Sequence, residues 1–334
     1  MEYQIYKLVF TTSVHFGKHS LEDASNTFLA DTFFSAMCQE CVKQGGQKLE
    51  ELVRRARRGS IRISDAFPYI GDTYYLPKPM LKIEAGQGQG DSSLKKAYKK
   101  LSYVPAQKLE EYLAGELDVK MEANRLKEHL GQAELRAIAA VRGMEEAMPY
   151  QIGIYAFYPG SGLYVIAGYE TKEDAAFAEQ SIEALPLSGI GGKRTAGLGR
   201  FLLEREEVPD DWKGRLVRGQ LQGALKPKRE EAARYREEPL GSGKPVYMSL
   251  SACLPKDEEL GTSLTHASYL LARRGGFVAS EVYAKEPRRK RDLYVMQAGS
   301  CFQERFEGDI YDVSAGGSHP VYRYAKPLWM EVAP

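Results

Sequence analysis

The sequence predicts an α/β (α+β) protein, and three observations predict it. The N-terminal Tyr3-Gln4-Ile5-Tyr6-Lys7-Leu8-Val9-Phe10 alternates as a half-buried strand does, and residues 3–12 form the first strand. Leu29, Phe33, Ala36-Met37 and Cys41 then recur at helical spacing and mark one buried stripe over residues 26–43. Thr171-Lys172-Glu173-Asp174 forms a loose capping box ahead of Ala178, Ile182 and Leu185, so another helix starts there.

The elements follow in order. Gly45-Gly46 ends the first helix. Ile61 to Tyr69 is a strand running into a turn. Tyr74-Tyr75-Leu76-Pro77-Lys78-Pro79-Met80-Leu81 is extended, because each proline biases the residue before it away from helix. Residues 84–148 differ in character. Gly86-Gln87-Gly88-Gln89-Gly90 opens a long charged stretch with few aromatics and several helical periods, which reads as an insertion projecting from the domain. Gln151 to Tyr158 and Leu163 to Tyr169 read as a hairpin about Pro159-Gly160-Ser161-Gly162. The capped helix, a glycine loop and a strand from Arg200 to Glu204 complete the unit. With the insertion set aside, the order is strand, helix, strand, strand, helix, strand, which is the ferredoxin-like order over residues 1–207. The same frame serves the common RNA-recognition module, but no stretch here matches that module's aromatic signature. RNA, if bound, would be held by loops. Residues 208–245 are charged, broken by prolines, and read as a connecting segment. The rest, to residue 334, is a second and smaller α/β unit, with a strand at Val246 to Ser251 and a short helix near Thr265 to Ala272.

Composition narrows the function. A chain of 334 residues with 43% hydrophobic content can bury real cores. No apolar run is long enough to span a bilayer, and the N-terminus reads as a strand and not as a signal peptide, so a cytoplasmic location is expected. The net charge is +1, but the basic residues are clustered at Arg54-Arg55-Ala56-Arg57-Arg58, at Lys95-Lys96 with Lys99-Lys100, at Lys193-Arg194 and at Arg288-Arg289-Lys290-Arg291. Segregated charge can line a basic groove on a near-neutral protein, although each cluster also reads as a solvated face. Of the four cysteines, Cys38 and Cys41 lie inside the first helix pattern and Cys253 and Cys301 stand far apart. A zinc site wants a second close pair, so these read as small core residues, with neither metal nor cofactor.

Ser188-Gly189-Ile190-Gly191-Gly192-Lys193-Arg194-Thr195-Ala196-Gly197-Leu198-Gly199-Arg200-Phe201 is the most informative stretch. Glycines there can take positive φ and approach a ligand backbone, and successive amides form an anion-binding concavity beside two cations. The local order is helix, loop, strand, whereas a Walker loop or dinucleotide fingerprint needs strand, loop, helix. Arg194 also stands where the Walker pattern needs Ser or Thr. A loop gripping a polyanion backbone is the reading that remains, beside that of a flexible connection with incidental charge.

Several segments resemble one family. They are Phe16-Gly17-Lys18 with Leu21, Ala30 to Ala36, Ser64-Asp65-Ala66-Phe67-Pro68-Tyr69 with Leu76-Pro77-Lys78-Pro79, Gly189 to Phe201, and His319-Pro320-Val321-Tyr322-Arg323-Tyr324. Together, and in this order, they resemble the fourth Csm subunit of type III-A CRISPR interference complexes, a repeat-associated (RAMP) family. The resemblance implies two ferredoxin-like (RRM-like) folds, the first with a thumb-like insertion drawn from residues 84–148. It implies a non-catalytic subunit that holds the 5′ handle of the crRNA. It also implies contacts with the large palm-domain polymerase subunit and with the backbone RAMP subunit.

On this reading the RNA-binding residues are His15, Gly17, Lys18, Gly189, Gly191, Gly192, Lys193, Arg194, Thr195, Arg200, Ser300 and Arg323. The cations would neutralise phosphates, and the amides near Gly191 and Gly192 would hold an oxyanion. Two other functions compete. One is a metal-independent endoribonuclease processing precursor crRNA, with His15 or His19 as general acid or base. The other is a protein–protein adaptor without RNA contact. Asp31 and Asp65 are expected to be structural, Asp31 near a helix start and Asp65 fixing the turn before Phe67-Pro68.

Overall fold

Strand Ser161–Tyr169 is buried at every one of its nine positions. Its side chains alternate between two faces. Leu163, Val165, Ala167 and Tyr169 enter one core, and Tyr164 and Ile166 enter another. A strand apolar on both faces belongs at the centre of a covered sheet, and the rest of the fold is arranged around it. A computed structural model describes residues 1–18, 20–83, 92–140, 148–220, 240, 244–280 and 282–333.

In chain order the first half contains β1 (Glu2–Phe10), α1 (Ala30–Lys43), α2 (Gly46–Arg58), β2 (Ile61–Ile63), β3 (Phe67–Ile70), β4 (Thr73–Pro77), α3 (Ser92–Lys100), β5 (Tyr103–Pro105), α4 (Val119–His129), β6 (Gly131–Ala140), β7 (Met148–Phe157), the central β8 (Ser161–Tyr169), α5 (Lys172–Ile182) and β9 (Phe201–Glu207). The main sheet runs β9-β1-β8-β3-β4-β5, with β2 pairing β8 beside β3. Ile5 of β1 stands opposite Ile166 on one side and Glu206 on the other, both antiparallel.

Helices α1, α2 and α5 cover one face through Phe33, Phe34, Met37, Leu52, Ala56 and Ile182. As the capping box predicts, α5 begins at Thr171, whose Oγ1 accepts from the Asp174 amide at 3.1 Å and donates to the Asp174 carboxylate at 2.7 Å. The other face is covered by the C-terminal half. That half holds α6 (Asp210–Gly219), β10 (Val246–Ser249), β11 (Ala267–Ser268), β12 (Leu271–Arg274), β13 (Leu293–Met296), β14 (Cys301–Phe302), β15 (Asp309–Asp312), β16 (Tyr322–Ala325) and β17 (Trp329–Ala333). A second sheet, β11-β14-β10-β17, lays Met248, Cys301, Met330 and Val332 against Tyr3, Ile5, Tyr164 and Ile166. Trp212 of α6 closes this interface, 5.7 Å from the Tyr74 ring. Both faces of the main sheet are therefore used in folding.

Several expectations are corrected. The segments flanking Pro159–Gly162 are both strands but do not pair with each other. β8 joins the main sheet, while β7 pairs along its length with β6 in a separate two-stranded hairpin. β6 reads Gly-Gln-Ala-Glu-Leu-Arg-Ala-Ile-Ala-Ala, mostly helix formers, and its pairing with β7 overrides that propensity. The region 84–148 does not project as one piece. Among the described residues, β5 extends the main sheet by pairing β4, while β6 and β7 form a sheet of their own. Gly46 begins α2 and does not terminate α1. The short helix of the C-terminal half is Leu260–Ser263, and residues 271–274 are strand. The connecting segment carries α6, whose Trp212 and Leu216 are buried.

Two buried carboxylates tie the halves together. Asp65 Oδ1 accepts from the amides of Ala30, at 2.7 Å, and Ala252, at 2.9 Å, so it joins the start of α1 to the C-terminal half. This goes beyond fixing a local turn. Asp31, in the first turn of α1, receives Arg274 in a two-point contact at 2.8 and 3.0 Å and is also paired with Arg323. Burial alone would raise the Asp31 carboxyl, but Arg274 and Arg323 more than offset it and hold it below the ordinary range. Asp65 has no such partner. Burial pushes it up to about 7, with the two amide bonds opposing the shift only in part.

Between about pH 4, where an unfolded Asp titrates, and about pH 7, folded Asp65 keeps a proton that the unfolded chain has lost. Its contribution to stability therefore falls as pH rises through that window. Asp65→Asn, which keeps the acceptor oxygen, will gain stability relative to the native chain as pH rises from 5 to 8, by up to a few kcal/mol in order of magnitude. Asp65→Ala will lose about 2 kcal/mol or more at pH 5, because two buried amides lose their partner, and the loss will shrink as pH rises toward 8. Chemical denaturation across that pH range checks both.

Candidate nucleic-acid interface

The segment after β1 and the glycine loop before β9 run side by side. β1 and β9 are paired, so their ends emerge together. Backbone bonds then zip the loops. The Thr11 amide donates to Arg200 O, the Gly199 amide to Ser13 O and the Gly192 amide to His15 O, each at 2.9 Å. The Arg200 amide donates to Thr12 Oγ1 at 3.0 Å.

The glycines are needed for two distinct reasons. Gly191 has φ +96, and a Cβ there would lie 2.9 Å from His15 O and from the Phe16 ring. Gly199 has φ +78, and a Cβ there would lie 2.0 Å from Ile190 O. Both positions exclude a side chain by backbone conformation and by space. Lys193 adopts the left-handed conformation without being glycine, at φ 57, a state that costs an ordinary side chain free energy and is held by its surroundings.

Those surroundings include the β6–β7 hairpin. Lys193 Nζ donates to Tyr150 Oη at 2.8 Å, and Leu198 packs with Ile152 and Ile154 of β7. Arg194 is turned toward α1, where it donates to Gln39 Oε1 at 2.5 Å and to Gly189 O at 3.5 Å. Tyr150 and Gln39 have no signal in the sequence near the loop, since they lie 43 and 155 residues from the cations they hold.

The partners of these cations are neutral. Among the described residues, Lys18, Lys193, Arg194 and Arg200 have no carboxylate partner. No acidic residue occurs from Tyr3 to Leu21 or from Ala184 to Leu203. The basic cluster of α2 is different: Arg54 pairs with Glu51, Arg57 with Asp309, and Arg55 and Arg58 with Asp174. Its charge is largely neutralised inside the protein. The zipped loops therefore carry positive charge without carboxylate partners, and Gly17, Lys18, Thr195 and Arg200 are exposed there.

Four expected site residues are reassigned. His15 is buried, and its Nδ1 lies 2.6 Å from Gly153 O, so the ring fastens the hairpin beneath the glycine loop. The Gly192 amide is already bonded to His15 O, which leaves Gly191 as the unbonded amide of the pair. Ser300 is fully buried, with Oγ donating to Gln297 O at 2.6 Å. Arg323 is buried in the Asp31 pair. His19 lies outside the described residues.

Gly199→Ala will lower stability by more than about 1 kcal/mol, because both φ and space forbid the methyl group. Gly46→Ala, at the start of α2 with nothing within 4 Å, will be neutral or stabilising by up to about 1 kcal/mol. Thermal melts of the two variants test whether the loop is rigidly built.

A family model described as the CRISPR Csm4 C-terminal domain matches residues 242–332. A protein named CRISPR system Cms protein Csm4 from Mycobacterium tuberculosis (strain ATCC 25618 / H37Rv) is 37% identical over 95% of this chain and 93% of its own length. One of the same name from Streptococcus thermophilus is 30% identical over 99% of both chains. Among solved structures, a chain from the Csm3-Csm4 subcomplex of the type III-A CRISPR-Cas interference complex has a similar fold, with a TM-score of 0.61 at 19% identity over the full length of both chains. Identity at this level over nearly the whole length leads to one conclusion: the chain belongs to the Csm4 family of CRISPR proteins.

Proposed function

We propose that this chain is the non-catalytic RNA-holding subunit of a type III-A CRISPR effector complex, active in the cytoplasm in antiviral defence. It grips the 5′ handle of the crRNA at the zipped loops. One observation carries the reading: Lys18, Lys193, Arg194 and Arg200, none with a carboxylate partner among the described residues, stand together at a glycine-built loop end, while both faces of the main sheet are closed by packing. Phosphates are attracted by Lys18, Lys193, Arg194 and Arg200, and the Gly191 amide and Thr195 hydroxyl add neutral donors. Base stacking on the sheet, as in the common RNA-recognition module, is sterically closed here.

The strand order β9-β1-β8-β3, which in chain order is four-one-three-two, supports a ferredoxin-like frame for the first half. In the second sheet, β17-β10-β14-β11 repeats that order in shorter form and supports a second such frame. The β6–β7 hairpin is the thumb. Neighbours of similar fold come from a Csm3-Csm4 subcomplex and from a Csm1-Csm4 cassette in complex with cA4. On that ground we assign this chain the same two kinds of partner, a backbone RAMP subunit and the large polymerase subunit, which it bridges.

Replacing Lys193 and Arg194 together by Ala will weaken binding of a repeat-derived RNA. It will also reduce the slope of log affinity against log salt by about 1.4, or about 0.7 for each phosphate of a single strand that is no longer neutralised. Fluorescence anisotropy over a salt series measures it, and an unchanged slope sinks the loop as the grip. Strand length followed in the same samples with EDTA present will stay constant. A shorter product that disappears on His15→Ala would instead establish the endoribonuclease.

A further inference from the structure

The C-terminal half carries a second basic cluster that the handle grip does not use. β12 and β13 form a ribbon that continues past the regular ladder: the Lys290 amide donates to Gly276 O at 2.8 Å and the Val278 amide to Arg288 O at 2.9 Å. Its inner side chains are committed. Arg274 reaches Asp31, and Val278, Leu293 and Val295 enter small cores. The opposite face has no covering element among the described residues. It presents Phe277, 61% exposed, and Tyr294, 56% exposed, each beside an arginine. The Arg289 guanidinium lies 5.9 Å from the Phe277 ring centroid, and Arg273 stands opposite Tyr294 in the ladder. Arg288 is exposed and has no ion pair among the described residues, while Arg273 is balanced by Asp292 at 3.3 Å.

Exposed aromatic rings interleaved with arginines on a rigid ribbon have a specific use. A ring offers a π-face to an unpaired base, and the adjoining guanidinium meets the phosphate that follows it. A purely apolar protein contact would leave Arg288 and Arg289 desolvated without carboxylate partners, which is unfavourable. We propose that the outer face of this ribbon is a second RNA-binding surface that stacks unpaired bases of a single strand. It shares no residue with the glycine loop, so it stands or falls separately from the handle grip.

The test uses the full chain and an oligouridine carrying 4-thiouridine, with an RNA duplex of equal length as control. Ultraviolet cross-linking followed by peptide mapping is expected to find Phe277 or Tyr294. The double change Phe277→Ala with Tyr294→Ala should weaken single-strand binding about tenfold or more and leave duplex binding unchanged. Phe277→Tyr with Tyr294→Phe should restore it. Lys193→Ala with Arg194→Ala should lose the handle RNA yet keep the ribbon cross-link, so failure of the loop and failure of the ribbon read out separately. Absence of a ribbon cross-link, or binding by the double alanine variant within about twofold of native, overturns the proposal. So does a double variant that keeps its RNA affinity but no longer co-purifies with the other subunits of its complex, which would make this face a protein contact.

Discussion

The two-sided burial of strand 161–169 is the constraint from which the rest of the architecture follows. A strand apolar on one face needs one covering layer; this one needs two. The helices α1, α2 and α5 satisfy one side and the C-terminal sheet the other. With both faces of the main sheet closed, that sheet can take part in recognition through the ends of its strands and what projects beyond them. That is why the glycine loop, the segment after β1 and the β6–β7 hairpin, all at one end, form the candidate interface.

The joint between the halves has an apolar core, and its polar links include two buried carboxylates. Asp65 draws two backbone amides to one oxygen, and Asp31 gathers two arginines. Buried charges of this kind add little net stability once desolvation is counted, but they penalise any other alignment of the parts they join. Misplacing the C-terminal half would leave Asp31, Arg274 and Arg323 without partners in an apolar setting. The apolar faces supply adhesion, and these groups fix the alignment.

Much of this is legible in the sequence where the signal is local. The capping box at Thr171, the alternation of β1 and the concentration of glycine and charge from Gly189 to Arg200 each lie within a dozen residues, and each corresponds to an observed element. The features that escape are those decided at long range. β6 is composed of helix formers and becomes a strand because β7 pairs with it. Arg323 reads as an exposed cation until Asp31, 292 residues earlier, proves to be its partner. His15 sits in a polar loop by sequence, yet the ring is buried under the hairpin. Histidine, arginine and serine stand out for their chemistry, and chemistry does not reveal which way a side chain turns.

The hairpin has one more implication. Its outer strand, Gly131–Ala140, has a single neighbour among the described residues, and its free edge offers unpaired amides and carbonyls to solvent. Leu135 and Met148 are also exposed there, at 61% and 74%. Such an edge is a template for strand addition, so the chain is poorly suited to a solitary existence at high concentration. Handling it as a lone recombinant product invites self-association through that edge, and synthesis alongside the proteins it docks with removes the hazard at its source.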